Sequence, residues 1–482
     1  MVQDASSSIG PTSHLEKIDL DFLFKPDSIA VIGASHDPEK FSGMIIPGLV
    51  RAGFKGKIYP VNPNRDEISG LKCYKSVTGL PEPPQLALLA VPGGRARETL
   101  DDCINAGVKA CVVVAAQIEF ETPDRDREQA ALLEKARQHG TRICGPNCEG
   151  ALYLSKGTWA TFLSHPSPVR GDIAFVTQSG GVAEFLLYNM WGRKIGVSGW
   201  VSSGNEIDLQ LSDYIEYFVK DPETRAIGVF LEAAREGRKF IDAARLAFKE
   251  RKALVVLKIG RSERARTAAF SHTGAIAGKY GVYTGLFRQL GIVRARGLQD
   301  LVDMTMALSW APLPAGNRVG AIVDSGGIGA LFADALDEEG LSLPTFKPET
   351  RAKLADVLPA KEKATNPLDI TALVGPKEVV SVLESIGEAI LCDEICDMLI
   401  VEMGNWSQTV LLGMVEMFHR VSRECKKPIL PVFTAIPSAA YGDLVSRAAE
   451  LKLPIYFTPE QAVAGARALS EYADFRRADS DD

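Results

Sequence analysis

GDIAFVTQSGGVAEFLLYNM, residues 171–190, and NRVGAIVDSGGIGALFADAL, residues 317–336, read alike: an apolar β-branched run, Ser-Gly-Gly, then an apolar stretch of helical length. A strand that breaks at glycines into a helix opens an α/β unit, and two such openings describe a duplicated unit. The turn carries the physical content. Glycine allows close backbone approach, and Ser179 or Ser325 can cap a helix whose first N–H groups attract an anion. Taken singly, each Ser-Gly-Gly is satisfied as a tight strand-to-helix turn. Taken as a pair, Ser179, Gly180, Gly181 and Ser325, Gly326, Gly327 are phosphate-binding candidates able to converge on one anion.

Outward from these openings the alternation continues. VSGWVSSGNE, AIGVFLE and ALVVLKIG follow the first opening, while DMLIVEMG, PILPVFTA and LPIYFTP follow the second. Before both come SIAVIGAS, KIYPVNP, QLALLAVP, ACVVVAA and RICGPN, all within the first 150 residues. Short apolar strands separated by helical stretches make parallel α/β sheets, which bind ligands at the carboxyl ends of their strands. A ligand is therefore expected near Gly33, Asn62 and Pro92. The expected division is a flexible N-terminus over 1–20, a Rossmann-like unit over 21–150, and two further α/β units over 151–312 and 313–475, with Ala311 to Asn317 as the linker.

The composition narrows the partners. Of 482 residues 46% are apolar and 24% charged, a mixture that folds, and the net charge of −7 without basic blocks gives no footprint for nucleic acid. No apolar run approaches the roughly 20 residues that span a bilayer, and the start lacks a signal pattern, so a cytoplasmic protein is expected, with no membrane partner. The eight cysteines are scattered. Without a secretory context they are expected to be reduced, and the wide spacing of Cys144 with Cys148 and of Cys392 with Cys396 is not that of zinc ligands, so no metal is expected.

The first unit points to a nucleotide but not to a redox cofactor. After SIAVI stands Gly33-Ala34-Ser35 rather than GxGxxG, and the second strand ends Val61-Asn62-Pro63 where a dinucleotide site wants an acid for the ribose. Lys40 is either a cation for phosphates or a solvated side chain. The most unusual stretch is Ala268 to Gly278, AAFSHTGAIAG, in which His272, one of only six histidines, is surrounded by small residues. Such a segment can present its histidine to more than one partner, and a neutral imidazole can attack an activated phosphate if a carboxylate steadies the resulting cation. Glu232, ending AIGVFLE, is the candidate carboxylate. The alternatives are a surface-loop histidine and a capping or salt-bridging glutamate.

SIAVIGAS, ICGPNCEG, FVTQSGG, SSGNEID, VLKIGRSERARTAAFSHTGAIAG and NPLDI, in this order from about Asp27 to about Pro459, resemble the α subunits of ADP-forming acyl-CoA synthetases, relatives of succinyl-CoA synthetases. The resemblance implies a Rossmann-like CoA-binding domain followed by two flavodoxin-like domains. It also implies interconversion of acyl-CoA, phosphate and ADP with acid, CoA and ATP through acyl phosphate and phosphohistidine. On that basis His272 takes the phosphoryl group and Glu232 steadies it; Gly33, Ser35, Lys40, Asn62 and Pro92 surround CoA; Asn147 lies at the thiol end; and Ser179, Gly180 and Gly181 hold phosphate. ATP or ADP with Mg2+ would sit mainly on an ATP-grasp β subunit, in an α2β2 assembly. The rival reading is a non-catalytic CoA-binding regulator on the same scaffold.

Overall fold

The computed structural model describes residues 18–118, 124–164, 169–265, 280–358, 364–371 and 373–480. Residues 1–17 of the expected N-terminal tail and residues 266–279, which include His272, lie outside the described residues.

The strands anticipated in the first unit all form. Ser28–Ile32, Lys57–Val61, Leu86–Leu89, Ala110–Val113 and Arg142–Cys144 pair in parallel, in the spatial order second, first, third, fourth, fifth. Ser28–Ile32 and Leu86–Leu89 are buried along their whole length, as expected of parallel strands covered on both faces. The chain leaves Ser28–Ile32 on one side and returns on the other, and this reversal opens a crevice above the carboxyl ends of the strands.

The second sheet is wound the same way. Arg170–Thr177, Val197–Ser202, Ala226–Leu231, Ala253–Lys258 and Val293–Arg294 repeat the order second, first, third, fourth, fifth, all parallel. A hairpin of Gly150–Tyr153 and Thr158–Thr161 adds antiparallel to the edge strand Val197–Ser202. This hairpin joins the two units. Gly48, on the helix Phe41–Arg51, packs so closely on Trp159 that a β-carbon there would lie 2.4 Å from the indole. Trp159 in turn stacks on Trp191 with ring centroids 5.7 Å apart. One apolar cluster therefore runs from Ile29 and Leu88 through Trp159 to Val176, Leu254 and Leu301.

In the third unit Val319–Val323, Leu368–Asp369, Met398–Met403 and Ile429–Phe433 keep the order second, first, third, fourth, around a cluster that includes Leu383, Met414 and Phe418. The stretch Leu453 to Pro459, read from sequence as a strand, contributes one bridge, Val432 to Tyr456, because the chain turns almost at once into the helix Pro459–Ser480. That final helix packs on Leu298–Trp310 of the middle unit, where Arg467 donates to the Arg294 carbonyl at 2.9 Å and ion-pairs with Glu339 at 3.1 Å. Among the described residues no helix is long and apolar enough to cross a membrane.

Candidate active site

The crevice over the first sheet is a cavity of about 1000 Å3 that reaches across to the second unit. Gly33, Lys40, Asn62, Pro92 and Asn147 line it, and so do Ser179, Gly180 and Gly181 at the start of the helix Gly180–Gly192. The CoA-binding candidates, Ser35 apart, and the first phosphate-binding candidates thus share one space. Ser35 is not among the lining residues; its hydroxyl accepts from the Asp37 amide at 3.1 Å and shapes the turn instead.

Each lining residue is placed by local backbone demands. Gly33 has φ +85°, and a β-carbon there would lie 2.4 Å from the Ala90 carbonyl oxygen, so two strand ends approach closely only because the side chain is absent. Asn62 spends its side chain on the same turn, donating to the Ala34 carbonyl at 2.8 Å and accepting from the Asn64 amide at 2.9 Å. Lys40 is exposed and pairs with Asp37 at 3.7 Å, a contact worth little in water. Its charge remains available to an anion. Asn147 stands at φ +58° and donates to Asn205 at 3.3 Å, while the Asn205 amide donates to the Pro146 carbonyl at 2.8 Å, so the loops GPNCEG and SSGNEID brace each other.

Ser179 and Ser325 were expected as capping residues, and neither side chain makes a capping hydrogen bond. The first-turn N–H groups are left to other partners. Around Gly181 nothing stands within 4 Å of where a β-carbon would be, so this helix start opens to the cavity. The second Ser-Gly-Gly differs. Ser325, Gly326 and Gly327 are not among the residues lining the cavity, and the Asp369 carboxylate lies 2.9 Å from the β-carbon position of Gly326. Asp324 stands one residue before Ser325, and burial, with Asp369 nearby, pushes its carboxyl up. In the repeat Gln178 occupies the position of Asp324. A neutral amide precedes one helix start and an aspartate the other, a difference that favours phosphate at the first.

Gln178 also joins the site to Glu232. Its carbonyl oxygen accepts from the Glu232 and Ala233 amides at 2.7 and 3.0 Å, and its amide donates to Glu206 at 2.9 Å and to the Ala233 carbonyl at 2.8 Å. Glu232 is buried at the end of Ala226–Leu231, and the buried Lys258 ammonium donates to its carbonyl at 2.7 Å. Burial lowers Lys258 to about 8, with Glu232 opposing the shift. One glutamine therefore couples the expected phosphate cradle to the backbone of the residue expected to supply the steadying carboxylate, and the segment after Lys258 leads into the run that carries His272.

Several lining groups were not foreseen. Glu149, two residues after Asn147, has a carboxylate oxygen 2.8 Å from the β-carbon position of Gly180, and burial, with Glu184 adding to it, raises it to about 7. Its place in GPNCEG was legible and its pairing with the second unit was not. Phe162, from the hairpin, reaches over to Phe41 with ring centroids 4.6 Å apart, a contact that only the docking of two units creates. Arg95 follows Pro92 in the first turn of Gly93–Asn105 and makes no ion pair among the described residues. Cys148 is buried and donates to the Val113 carbonyl at 3.3 Å, and a hydrogen bond with Cys144, together with burial, raises its thiol. Among the described residues no group of three or more metal-ligating side chains converges.

A family model described as a CoA binding domain matches residues 27–153, and one described as a succinyl-CoA ligase like flavodoxin domain matches residues 170–308. The chain is similar to the α subunits of acetate–CoA ligase (ADP-forming) II and I of Pyrococcus furiosus, 34% identical to each over 465 and 467 residues, or 94% and 95% of this chain and 98% of each relative. It also superposes on the dinucleotide forming acetyl-coenzyme A synthetase 1 of Ca. Korarchaeum cryptofilum in complex with phosphate and ADP, with a TM-score of 0.83 at 34% identity, covering 95% of this chain and 98% of that one. Identity spread over the full length, on three sheets with the same winding and one shared crevice, leads to a single assignment: the chain belongs to the family of α subunits of ADP-forming acetate–CoA ligases.

Proposed function

We propose that this chain binds CoA and the acyl group and carries phosphate on His272, while an ATP-grasp β subunit, in an α2β2 assembly, holds ADP or ATP with Mg2+. The observation that carries this reading is the continuity of the cavity from the strand ends of the first unit to the open helix start at Ser179, Gly180 and Gly181. The shape and lining suit CoA: Gly33 permits close approach at the strand ends, and Lys40 and Arg95 supply cations for phosphates.

In the direction of ATP formation, phosphate held at the helix start attacks the thioester carbonyl. The C–S bond breaks, the thiolate leaves and takes up a proton, and an acyl phosphate remains. A ring nitrogen of His272 then attacks phosphorus, the carboxylate leaves as the free acid, and Glu232 stabilises the cationic phosphohistidine. The phosphoryl group passes to ADP on the partner. Supplying a panel of 32P-labelled acyl phosphates, from acetyl to benzoyl, should leave acid-labile, base-stable label on His272. A chain that stays unlabelled with every member would instead support the regulatory reading, which the family assignment does not favour.

The cradle should also sense pH. Below about 7 the Glu149 carboxyl is neutral and tolerates an anion at the adjacent helix start; above it the carboxylate repels one. Sulfate keeps its charge across this range, so its inhibition constant against phosphate is expected to rise from pH 6 to pH 8 by roughly tenfold, the effect of a like charge worth about 1–2 kcal/mol. Glu149→Gln should flatten that rise. An unchanged profile in the variant would remove Glu149 from the cradle.

A further inference from the structure

A second cavity, of about 450 Å3, lies between the middle and third units, away from the residues described above. Arg225 and Trp310 face it from the middle unit, and His419, Arg423, Lys426 and Lys452 from the third. None of the described residues lining it is a carboxylate. Lys452 is committed, its ammonium 2.6 Å from the buried Asp172, which also receives the Ser309 hydroxyl at 2.9 Å and the Trp310 indole N–H at 3.1 Å. This hub fixes one wall. Arg225, Arg423 and Lys426 make no ion pair among the described residues, so three permanent positive charges face one cleft without partners.

Helix ends account for part of that charge and not all of it. Leu298–Trp310, Gln408–Cys425 and Ser438–Leu451 all terminate at the cleft, and Lys426 and Lys452 are the left-handed residues that follow the last two. Each helix end carries about half a negative charge, so three of them offset only about half of the charge of the three unpaired cations, even before Lys452 is considered. His419 reports the same field: burial lowers its pKa, and Arg423 and Arg447 lower it further. A concave site lined by one sign of charge concentrates counter-ions of the other, and its size is that of a small-molecule pocket.

We propose that this cleft binds a small anion carrying three or more negative charges, such as an oligophosphate, with Arg225, Arg423 and Lys426 as its ligands. Guanidinium and ammonium groups suit phosphate oxygens through short charge-assisted hydrogen bonds, and Trp310 offers an indole beside them. The site shares no lining residue with the CoA cavity.

The test is calorimetric titration of inorganic triphosphate into the full chain already saturated with CoA, so that the first cavity is filled. One equivalent should bind, more weakly as salt is added. Arg423→Glu combined with Lys426→Glu should weaken it at least about a hundredfold, two charge-assisted contacts being lost, with CoA affinity unchanged. Citrate, titrated in parallel, distinguishes the sources: tighter binding than triphosphate keeps the anion site and assigns it to a polycarboxylate. Absence of binding to the wild-type chain, binding unaltered in the double variant, or binding displaced by CoA would each overturn the proposal. So would a double variant that binds triphosphate normally but no longer copurifies with the partner subunit, since the cleft would then face protein.

Discussion

His272→Ala should lower turnover of the assembled enzyme by at least about four orders of magnitude, the scale of losing a covalent nucleophile, while leaving the dissociation constant for CoA within twofold of wild type. Phosphoryl transfer through the chain needs a nitrogen that attacks phosphorus and later releases it, and alanine offers none. CoA, by contrast, is proposed to lie on Gly33, Lys40, Asn62, Pro92 and Asn147, which line a cavity formed by the first unit and the helix start at Ser179. Stopped-assay turnover and calorimetry with CoA on the same preparation read the two. Glu232→Gln should fall between, about two to four orders of magnitude down, because the imidazole remains while its steadying charge is gone. Turnover of the alanine variant near that of wild type would refute a phosphohistidine route.

The largest structural effect is expected at Arg193. It ends the helix Gly180–Gly192, is buried with Asp303, and ion-pairs with it at 2.5 Å; its other guanidinium nitrogen donates to the Ile455 carbonyl at 3.0 Å. A single cation thus ties the helix of the proposed phosphate cradle to the helix Leu298–Trp310 and to the third unit. Arg193→Leu leaves Asp303 buried with Gln299, at 3.0 Å, and Gln461 as its hydrogen-bonding partners but no cation, and should cost about 3–5 kcal/mol in urea unfolding. Pairing it with Asp303→Leu should recover most of that loss, since the penalty belongs to the stranded charge rather than to a missing attraction.

The deficit has a pH sign. Burial raises the Asp303 carboxyl, and Arg193 is the largest influence opposing the rise. Without Arg193 the folded-state value climbs further above the unfolded one, near 4 for an aspartate, so the protonated form is the one the fold accepts. Stability contributed by that proton is present at low pH and lost as pH rises through the folded value. The deficit of Arg193→Leu should therefore be smaller at pH 5 than at pH 8, and a deficit that grows on acidification would assign the loss to packing instead.

The alternation of strand and helix, the repeat at residues 171–190 and 317–336, and the glycine, asparagine and proline at the first unit's strand ends were all legible because they are local: period, propensity and turn chemistry act within a few residues. The order of strands in each sheet follows from the same right-handed winding repeated three times. What local pattern could not supply was which elements meet. That Glu149 lies on Gly180, that Phe162 crosses to Phe41, that Gln178 holds the Glu232 backbone, and that the final helix returns to the middle unit are contacts between residues far apart in the chain. The two Ser-Gly-Gly turns show the division most clearly. As sequence both read as anion sites; in the folded chain one opens into the cavity behind a neutral glutamine, with Glu149 beside it raised to about 7, while Asp324 and Asp369 lie at the other, outside the cavity. Motif chemistry is written in neighbouring residues, but the field at a helix start is summed over everything the tertiary structure brings beside it.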